Sequence, residues 1–388
     1  MDFSFSKEQE KFRSQVQAFV QEEIKKDNFK TRSNYYLEGS SPEFSRRLAE
    51  KGWLGLTWPK EYGGAERTYV ERAILMEELL RYQLPLMYHL LGERQIGPGL
   101  LHFGSEELKE EFLPGIIKAE ISFALGLSEP DAGSDVAAVS TEAVEDGDYF
   151  IINGQKIWTS DAHHADFIWI LTLTDALAPK YKNLSEIIVD MNTPGITVRP
   201  IVNMAGSHHF NEVFFDNVRV HKRYLVGEKN RGFYQMLSQV DYERAGLERL
   251  MQNYPVLDNL RTFVKQNKAL SSNPLIRDKM AGLEIEFEVG RLLCYKVAWT
   301  IDQGKIPNPE SSISKAFCTR FEQKLGDVAT QMIGEFGMVM PNDADALFNG
   351  DMAASYLVSP SFTIQGGASE ILKGIIATRG LGLVFNKK

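Results

Sequence analysis

A chain of 388 residues exceeds one ordinary domain, and at about 150 residues per domain it divides into two or three. With 43% hydrophobic, 11% aromatic and 24% charged residues it has enough apolar side chain for a large core, which excludes wholesale disorder. Forty-three Lys and Arg against 52 Asp and Glu leave a net charge of −9, which argues against nucleic acid as the main partner but leaves room for one local cationic pocket.

Residues 1–120 read as helical. Ser6 with Gln9 three residues later is a capping-box start, and Phe12, Val16, Phe19, Val20 and Ile24 follow at helical spacing. Ser41-Pro42 opens a second helix that Gly52 closes. Val70, Ile74, Leu75, Leu79 and Leu80 line a third, and Ser105 begins a fourth with Leu108, Phe112 and Leu113. Residues 121–230 change to short β segments. These are Phe150-Ile151-Ile152, Phe167 to Leu173, Ile187-Ile188-Val189, Ile196-Thr197-Val198 and Val213-Phe214-Phe215. Asp146-Gly147 and Asn153-Gly154 are both expected to be hairpin turns. Strands without intervening helices suggest a small barrel or sandwich. From 231 to 388 the helical period returns, with breaker-rich loops expected at Asn267 to Pro274 and Gln303 to Pro309. Leu283, Ile285, Phe287 and Val289 alternate like a strand, but Leu292, Leu293, Val297 and Ala298 extend the apolar pattern beyond strand length, so the segment reads as helix.

Cys294 and Cys318 form neither a disulfide framework nor a C-x-x-C pair, which fits an intracellular chain. His163-His164 and His208-His209 lack the i,i+4 spacing of a metal pair and no clustered Cys or carboxylate completes a site, so no metal is expected. No apolar run approaches the roughly 20 residues of a membrane span, and Met1-Asp2-Phe3-Ser4 has neither a basic nor an apolar leader segment. A cytoplasmic protein without membrane contact is the expectation. The dinucleotide G-x-G-x-x-G, the P-loop and the G-x-S-x-G elbow are all missing.

Leu127-Ser128-Glu129-Pro130-Asp131-Ala132-Gly133-Ser134-Asp135 resembles the signature of the acyl-CoA dehydrogenase family. Further pieces follow in the family's order: Lys156-Ile157-Trp158-Thr159-Ser160, Glu212 to Val220, Leu225-Val226-Gly227-Glu228 with Gly232-Phe233, Gln331-Met332-Ile333-Gly334, and Gly367-Ala368-Ser369-Glu370-Ile371. The resemblance spans nearly the whole chain. It implies an α+β fold with an N-terminal helical domain, a middle β-barrel-like domain and a C-terminal four-helix bundle, the order that periodicity gives independently.

The implied chemistry is α,β-dehydrogenation of an acyl-CoA thioester to the 2-enoyl-CoA, with FAD as cofactor and an electron-transferring flavoprotein as acceptor. The implied assembly is a homotetramer or a mixed tetramer. By resemblance Leu125, Leu127, Ser128, Gly133, Ser134, Trp158, Thr159, Ser160, Gln331, Gly334, Glu335, Ala368 and Glu370 contact the flavin nucleotide, and Ser134 also touches the CoA pantetheine. Taken alone, a tryptophan on a strand is usually core and a lone serine is usually a turn; only their joint motif positions suggest more.

Many family members carry the catalytic glutamate in the late motif, where this chain has Gly366 within Gln365-Gly366-Gly367-Ala368-Ser369-Glu370. A branch of the family places the base on the first bundle helix just before an arginine, and Asp241-Tyr242-Glu243-Arg244 fits that arrangement. Glu243 is therefore the implied base, with Asp241, Tyr242, Arg244, Gln365 and Gly367 at the substrate and the Gly366 N–H polarising the thioester carbonyl. Without the resemblance, Glu243 reads as a solvated glutamate paired to an arginine. Glu248 is a weaker base candidate, because i,i+5 leaves the helical face.

Two departures bear on FAD. Arg261 stands where the usual R-x-x-F-G segment lacks its glycine, and Glu335 replaces the second glycine of the Q-x-x-G-G loop. Leu84-Pro85-Leu86 lacks the arginine of glutaryl-type enzymes. Glu93-Arg94-Gln95 is either a contact to a polar acyl group or an internally paired surface turn. Two other readings stay open: a non-catalytic subunit of a mixed assembly, and the same fold running another CoA-ester reaction such as desulfination.

Overall fold

Ser6 and Gln9 start the first helix as their spacing predicts, the Ser6 N–H donating to Gln9 Oε1 at 2.9 Å and the Gln9 N–H to Ser6 Oγ at 3.2 Å. The computed structural model describes residues 3–27, 29, 33, 35–243 and 246–384, with backbone alone at 27, 36 and 240–243. Two units partition the chain. One comprises Met1–Tyr36, Thr68–Leu84 and Arg244–Lys388, and the other comprises Leu37–Arg67 and Pro85–Glu243.

The first unit is helical. It contains α1 (Lys7–Asp27), the short α2 (Tyr35–Glu38) that runs on into the second unit, and α4 (Tyr69–Arg81). It continues through α9 (Tyr254–Gln266), α10 (Lys268–Ser272), α11 (Pro274–Asp302), α12 (Asn308–Ile333), α13 (Asp351–Phe362) and α14 (Ser369–Ile375). The buried faces of α1 and α4 are the apolar stripes read from sequence, Phe12, Val16 and Val20 on one and Ile74, Leu75, Leu79 and Leu80 on the other. Within this interface Glu77 is fully buried and receives Arg13 at 3.1 Å, Arg291 at 2.7 Å and the Tyr295 hydroxyl at 2.5 Å. Burial alone would raise its carboxyl, but Arg291, Tyr295 and Arg13 outweigh that and hold it at about 2. In α11 the strand-like alternation resolves into helix: Leu283 and Phe287 are buried while Ile285 and Val289 are exposed, the i,i+4 split of a half-buried helix. The expected loop at Asn267 to Pro274 instead contains α10, capped by the Asn267 side chain, with Pro274 opening α11.

The second unit holds α3 (Pro42–Glu50), α5 (Met87–Leu91), α6 (Gly97–Phe103), α7 (Glu106–Ile117), eight strands and α8 (Gly232–Glu243). Ser41 caps α3 by accepting from the Phe44 N–H, and Ser105 caps α7 by accepting from the Leu108 N–H. The strands are β1 (Phe123–Gly126), β2 (Glu142–Asp146), β3 (Tyr149–Ser160), β4 (Phe167–Leu173), β5 (Leu184–Asp190), β6 (Ile196–Val202), β7 (His208–His221) and β8 (Leu225–Val226). They form one sheet in the order β6-β7-β3-β2-β4-β5-β8, with β1 pairing parallel to β4. Phe150, Ile152, Ile168, Ile170, Ile187, Val189, Val213 and Phe215 make its core.

Asp146-Gly147 turns the β2–β3 hairpin as expected. Asn153-Gly154 does not turn. It lies inside β3, which runs on for 12 residues, and marks a register shift against β7 between Ile152 and Gly154. Gly154 has φ +147°, and a Cβ there would come within 2.5 Å of Thr141 Oγ1. The glycine therefore serves a bulge with close backbone approach, not a reversal.

Candidate functional site

The signature segment leaves β1 as a tight turn. Glu129 and Ala132 exchange backbone hydrogen bonds at 2.9 and 3.1 Å, and the Ile157 N–H donates to Ser128 O at 2.9 Å, tying the turn to β3. Beneath it, Lys156 is completely buried. Its ammonium donates to Glu129 Oε1 at 2.8 Å and to Leu171 O at 2.6 Å. The stem passes Gly126, where a Cβ would sit 3.1 Å from Lys156 Cγ. Glu129 also accepts from the Ser140 N–H (2.6 Å), the Ser140 hydroxyl (2.9 Å) and the Thr141 N–H (2.9 Å). Burial pulls Lys156 down to about 8 against the pull of Glu129. For Glu129, burial raises the carboxyl, but Lys156 and the converging donors more than offset it and hold it at about 2. Both groups are therefore charged at neutral pH. They fix the turn that carries Ser128, Gly133 and Ser134, of which Gly133 and Ser134 are exposed.

Trp158 sits at a second irregularity of β3, between Lys156 and Thr159, with φ +58° and 55% exposure. A left-handed tryptophan is uncommon, and the bulge turns the indole out of the alternation and away from the core. Its ring meets Phe210 edge-on at 5.8 Å. Next to it the Thr159 hydroxyl is buried and meets no donor or acceptor among the described residues, while Ser160 is half-buried. Leu125 lies in β1 opposite Trp169, and Leu127 follows just after the strand. An exposed indole on strained backbone, beside polar groups at the ends of β1 and β3, fits an aromatic ring system such as isoalloxazine.

In the helical unit the late motif forms a loop between α13 and α14. Gly366 and Gly367 have φ +64° and +104°, conformations open to glycine. Gln365, Gly366, Gly367 and Ala368 are half-buried and Glu370 is exposed. At the end of α12, Gln331 donates to Asp327 at 3.0 Å and accepts from Lys279 at 3.3 Å; Gly334 (φ +66°) and the exposed Glu335 follow. Arg261 is held by Glu284 in a two-pronged pair, 2.5 and 2.6 Å, which raises its pKa and engages the guanidinium within its own unit.

The side chains of Asp241, Tyr242 and Glu243, and the whole of Arg244, lie outside the described residues; the backbone places Glu243 at the last position of α8. Glu248 is not on that helix. It belongs to a 3-10 turn at Leu247–Arg249, is 1% exposed and pairs with Arg72 at 3.2 Å. Glu93 and Gln95 are 6% and 3% exposed in a π-helical turn, Gly92–Ile96, so the segment is not a surface turn.

From sequence no carboxylate is expected to complete a site at the paired histidines, but the fold brings Asp161, two residues before the pair His163-His164, against them. Asp161, His163 and His164 bring donor atoms within 4.8 Å of one another, and His208 stacks on His163 at 4.2 Å. The surroundings are set for a proton. The Asn211 amide nitrogen is fixed by donating to Thr159 O at 3.1 Å and faces His163 Nδ1, also at 3.1 Å, so Nδ1 accepts and Nε2 carries the hydrogen. A metal-ligating imidazole needs the reverse, its second nitrogen donating outward.

Several buried ionisable groups had no sequence signal, Glu186 and Lys315 among them. Glu186 in β5 and Lys315 in α12 are 0% exposed. On an amphipathic pattern each passes for a polar residue on a solvated face, and only tertiary partners distinguish them.

Comparison with known proteins agrees with this architecture. Family models described as the N-terminal, middle and C-terminal domains of acyl-CoA dehydrogenase match residues 6–120, 124–218 and 230–381. The chain is 35% identical over 343 residues to acyl-CoA dehydrogenase IpdE1 of Mycobacterium tuberculosis, covering 88% of this chain and 87% of that protein. The solved structure of the Tcur3481-Tcur3483 steroid ACAD superposes with TM-score 0.90 at 30% identity over 100% of both chains. The ChsE4-ChsE5 complex from Mycobacterium tuberculosis gives TM-score 0.86 at 27% identity, again over 100% of both.

Proposed function

The chain belongs to the acyl-CoA dehydrogenase family and is an oxidoreductase of that kind, and from this we propose that it is an FAD-dependent enzyme desaturating a CoA thioester at Cα–Cβ with Glu243 as base. The observation that carries the reading is Trp158, a large exposed ring held out on left-handed backbone at a bulge of β3. By resemblance the residues that would hold FAD are Leu125, Leu127, Ser128, Gly133, Ser134, Trp158, Thr159, Ser160, Gln331, Gly334, Glu335, Ala368 and Glu370. When bound, FAD would accept the hydride leaving Cβ.

The chain's own residues supply the rest. Lys156 and Glu129 hold the turn that presents Ser134 to the pantetheine. The thioester carbonyl needs donors before its α-proton is acidic enough for a carboxylate, and the Gly366 N–H is one of them. Glu243 takes the α-proton, the late position having no side chain to do so. The chain divides on this reading into domains at residues 1–120, 121–230 and 231–388.

A mixed assembly is the second reading. Similarity to the ChsE4-ChsE5 complex supports it, and similarity to the Tcur3481-Tcur3483 steroid ACAD separately widens the substrate panel.

The test is an anaerobic titration of the purified yellow protein with straight-chain, branched, dicarboxylic and steroid-ring acyl-CoAs. Bleaching of the flavin absorbance by one class is expected, and Glu243→Gln should slow it by two or more orders of magnitude, the scale of positioned proton transfer. Bleaching at the wild-type rate in Glu243→Gln would remove Glu243 from the role. A colourless protein that no flavin restores would favour the subunit reading.

A further inference from the structure

Lys315 lies on the face of α12 that meets the late loop. Its ammonium, wholly buried, donates to Phe362 O at 3.1 Å and to Gly367 O at 2.6 Å. Phe362 is the last residue of α13, and Gly367 is the second glycine of the late motif. Two turns along the same helix face, Gln323 reaches Thr363 Oγ1 at 3.4 Å. The loop is closed at its base by the Ser369 N–H and hydroxyl, which donate to Thr363 O at 3.0 and 3.3 Å. One cation thus gathers carbonyls from both sides of a loop whose two glycines take φ +64° and +104°.

A buried ammonium is costly unless its hydrogens meet acceptors, and here backbone oxygens are among them. The attraction acts in both directions. A trans peptide is planar, so holding Gly367 O fixes the plane of its peptide. The Gly366 N–H lies two peptide planes further back, across the φ and ψ of both glycines, so the clamp narrows its orientation by holding one end of the loop while the Ser369–Thr363 contact closes its base. Glycines have the widest torsional freedom of any residue, so without a clamp this segment would be the least determined part of the motif.

We infer that Lys315 is a positioning residue: by clamping Phe362 O and Gly367 O it aims the Gly366 N–H at the thioester oxygen. This rests on the dehydrogenase reading above, and it adds a residue that does not touch substrate.

The test uses the flavin-loaded protein and acetoacetyl-CoA as probe. Its C2–H bond breaks without redox change: the proton passes to the base or solvent and the electron pair delocalises on to the thioester oxygen. The bound enolate is read by long-wavelength absorbance against the flavin. Titrating pH gives the ionisation midpoint of the bound probe, a quantity that general loosening of the fold does not move. Lys315→Met should raise that midpoint by about one to two units, ten- to hundredfold less enolate at a given pH, on the scale of a misplaced catalytic contact. Affinity for the un-ionised probe should change less than threefold. A flavin-loaded Lys315→Met with the wild-type midpoint overturns the inference. Should that variant fail to load flavin, Lys315→Arg and Lys315→Gln replace it. Arginine can span both carbonyls and glutamine cannot, so the midpoint should rise from the first to the second, and equal midpoints overturn the role. A wild type that forms no enolate and is bleached by no CoA ester removes the dehydrogenase reading itself, and the role with it.

Discussion

At the scale of single residues, the organising contact of the sheet unit is the buried pair Lys156–Glu129. Its value cannot be read from Coulomb attraction alone, because both ions leave water to make it. Glu129 recovers much of that cost from three further donors at Ser140 and Thr141, while Lys156 leans on Leu171 O. Removing one partner is the damaging change. Lys156→Met leaves a carboxylate buried without its cation and should destabilise the protein by about 3 kcal/mol, the low end for a broken buried pair because the other donors remain. The double variant Lys156→Met/Glu129→Gln removes both charges and should recover a good part of that loss. Thermal unfolding of the three variants at pH 7 measures both numbers, and a double variant no more stable than the single would mean that packing, not charge, holds the turn.

At the scale of elements, α8 is fastened to β5 through one carboxyl. Glu186 accepts from Gln235 at 3.0 Å and Gln239 at 3.3 Å, residues one turn apart on α8, and Gln239 lies one further turn before Glu243. Burial pushes Glu186 up to about 7, and the two glutamines pull against that only in part. An acid whose folded pKa lies above its ordinary 4.5 weakens the fold as pH rises from about 4.5 through 7. Glu186→Gln, which cannot ionise, should therefore raise the unfolding midpoint at pH 8 by a few degrees and leave it nearly unchanged at pH 5. An equal shift at both pH values would exclude ionisation as the cause. This contact also marks the limit of what the amino-acid order discloses. β4 was readable to its end residues, because a run buried on both faces carries its own boundaries. Asn153-Gly154 misled, because a turn dipeptide is a local signal while the bulge it serves is set by Thr141 and β7 across the sheet. Trp158 and the Ser128 turn were found through motif resemblance. Glu186 and Lys315 were not found, since a buried charge declares itself only through partners distant in sequence.

At the scale of the molecule, acid response follows from summing groups whose shifts oppose. Glu77 in the helical unit and Glu129 in the sheet unit are both held at about 2. Their folded values lie below the ordinary 4.5, so their stabilisation is complete above about 4.5 and is lost as pH falls from there toward 2. His209 is buried, and burial lowers it to about 4, with His208 and His163 adding to the effect. A histidine lowered from 6.5 costs stability as pH falls through 6.5, because the unfolded chain takes the proton first. Half-buried His163, also lowered to about 4 by burial and its histidine neighbours, adds to this less strongly. Glu186 works the other way across nearly the same range, 7 to 4.5. Buried Glu322, raised well above 4.5, acts with Glu186, so between pH 7 and 4.5 these carboxyls offset the histidines, and below 4.5 the loss at Glu77 and Glu129 is opposed only briefly, by Asp161 and Asp302, which burial raises from 3.8. The unfolding midpoint should stay nearly level from pH 7 to about 4.5 and then fall steeply. In Glu186→Gln one opposing group is gone while buried Glu322, raised well above 4.5 by burial, remains, so the decline should begin at a higher pH than in the parent. Differential scanning calorimetry of the two proteins across pH 3 to 8 distinguishes the curves. A plateau of unchanged length in Glu186→Gln would mean that Glu186 does not change its charge in that range in the folded protein.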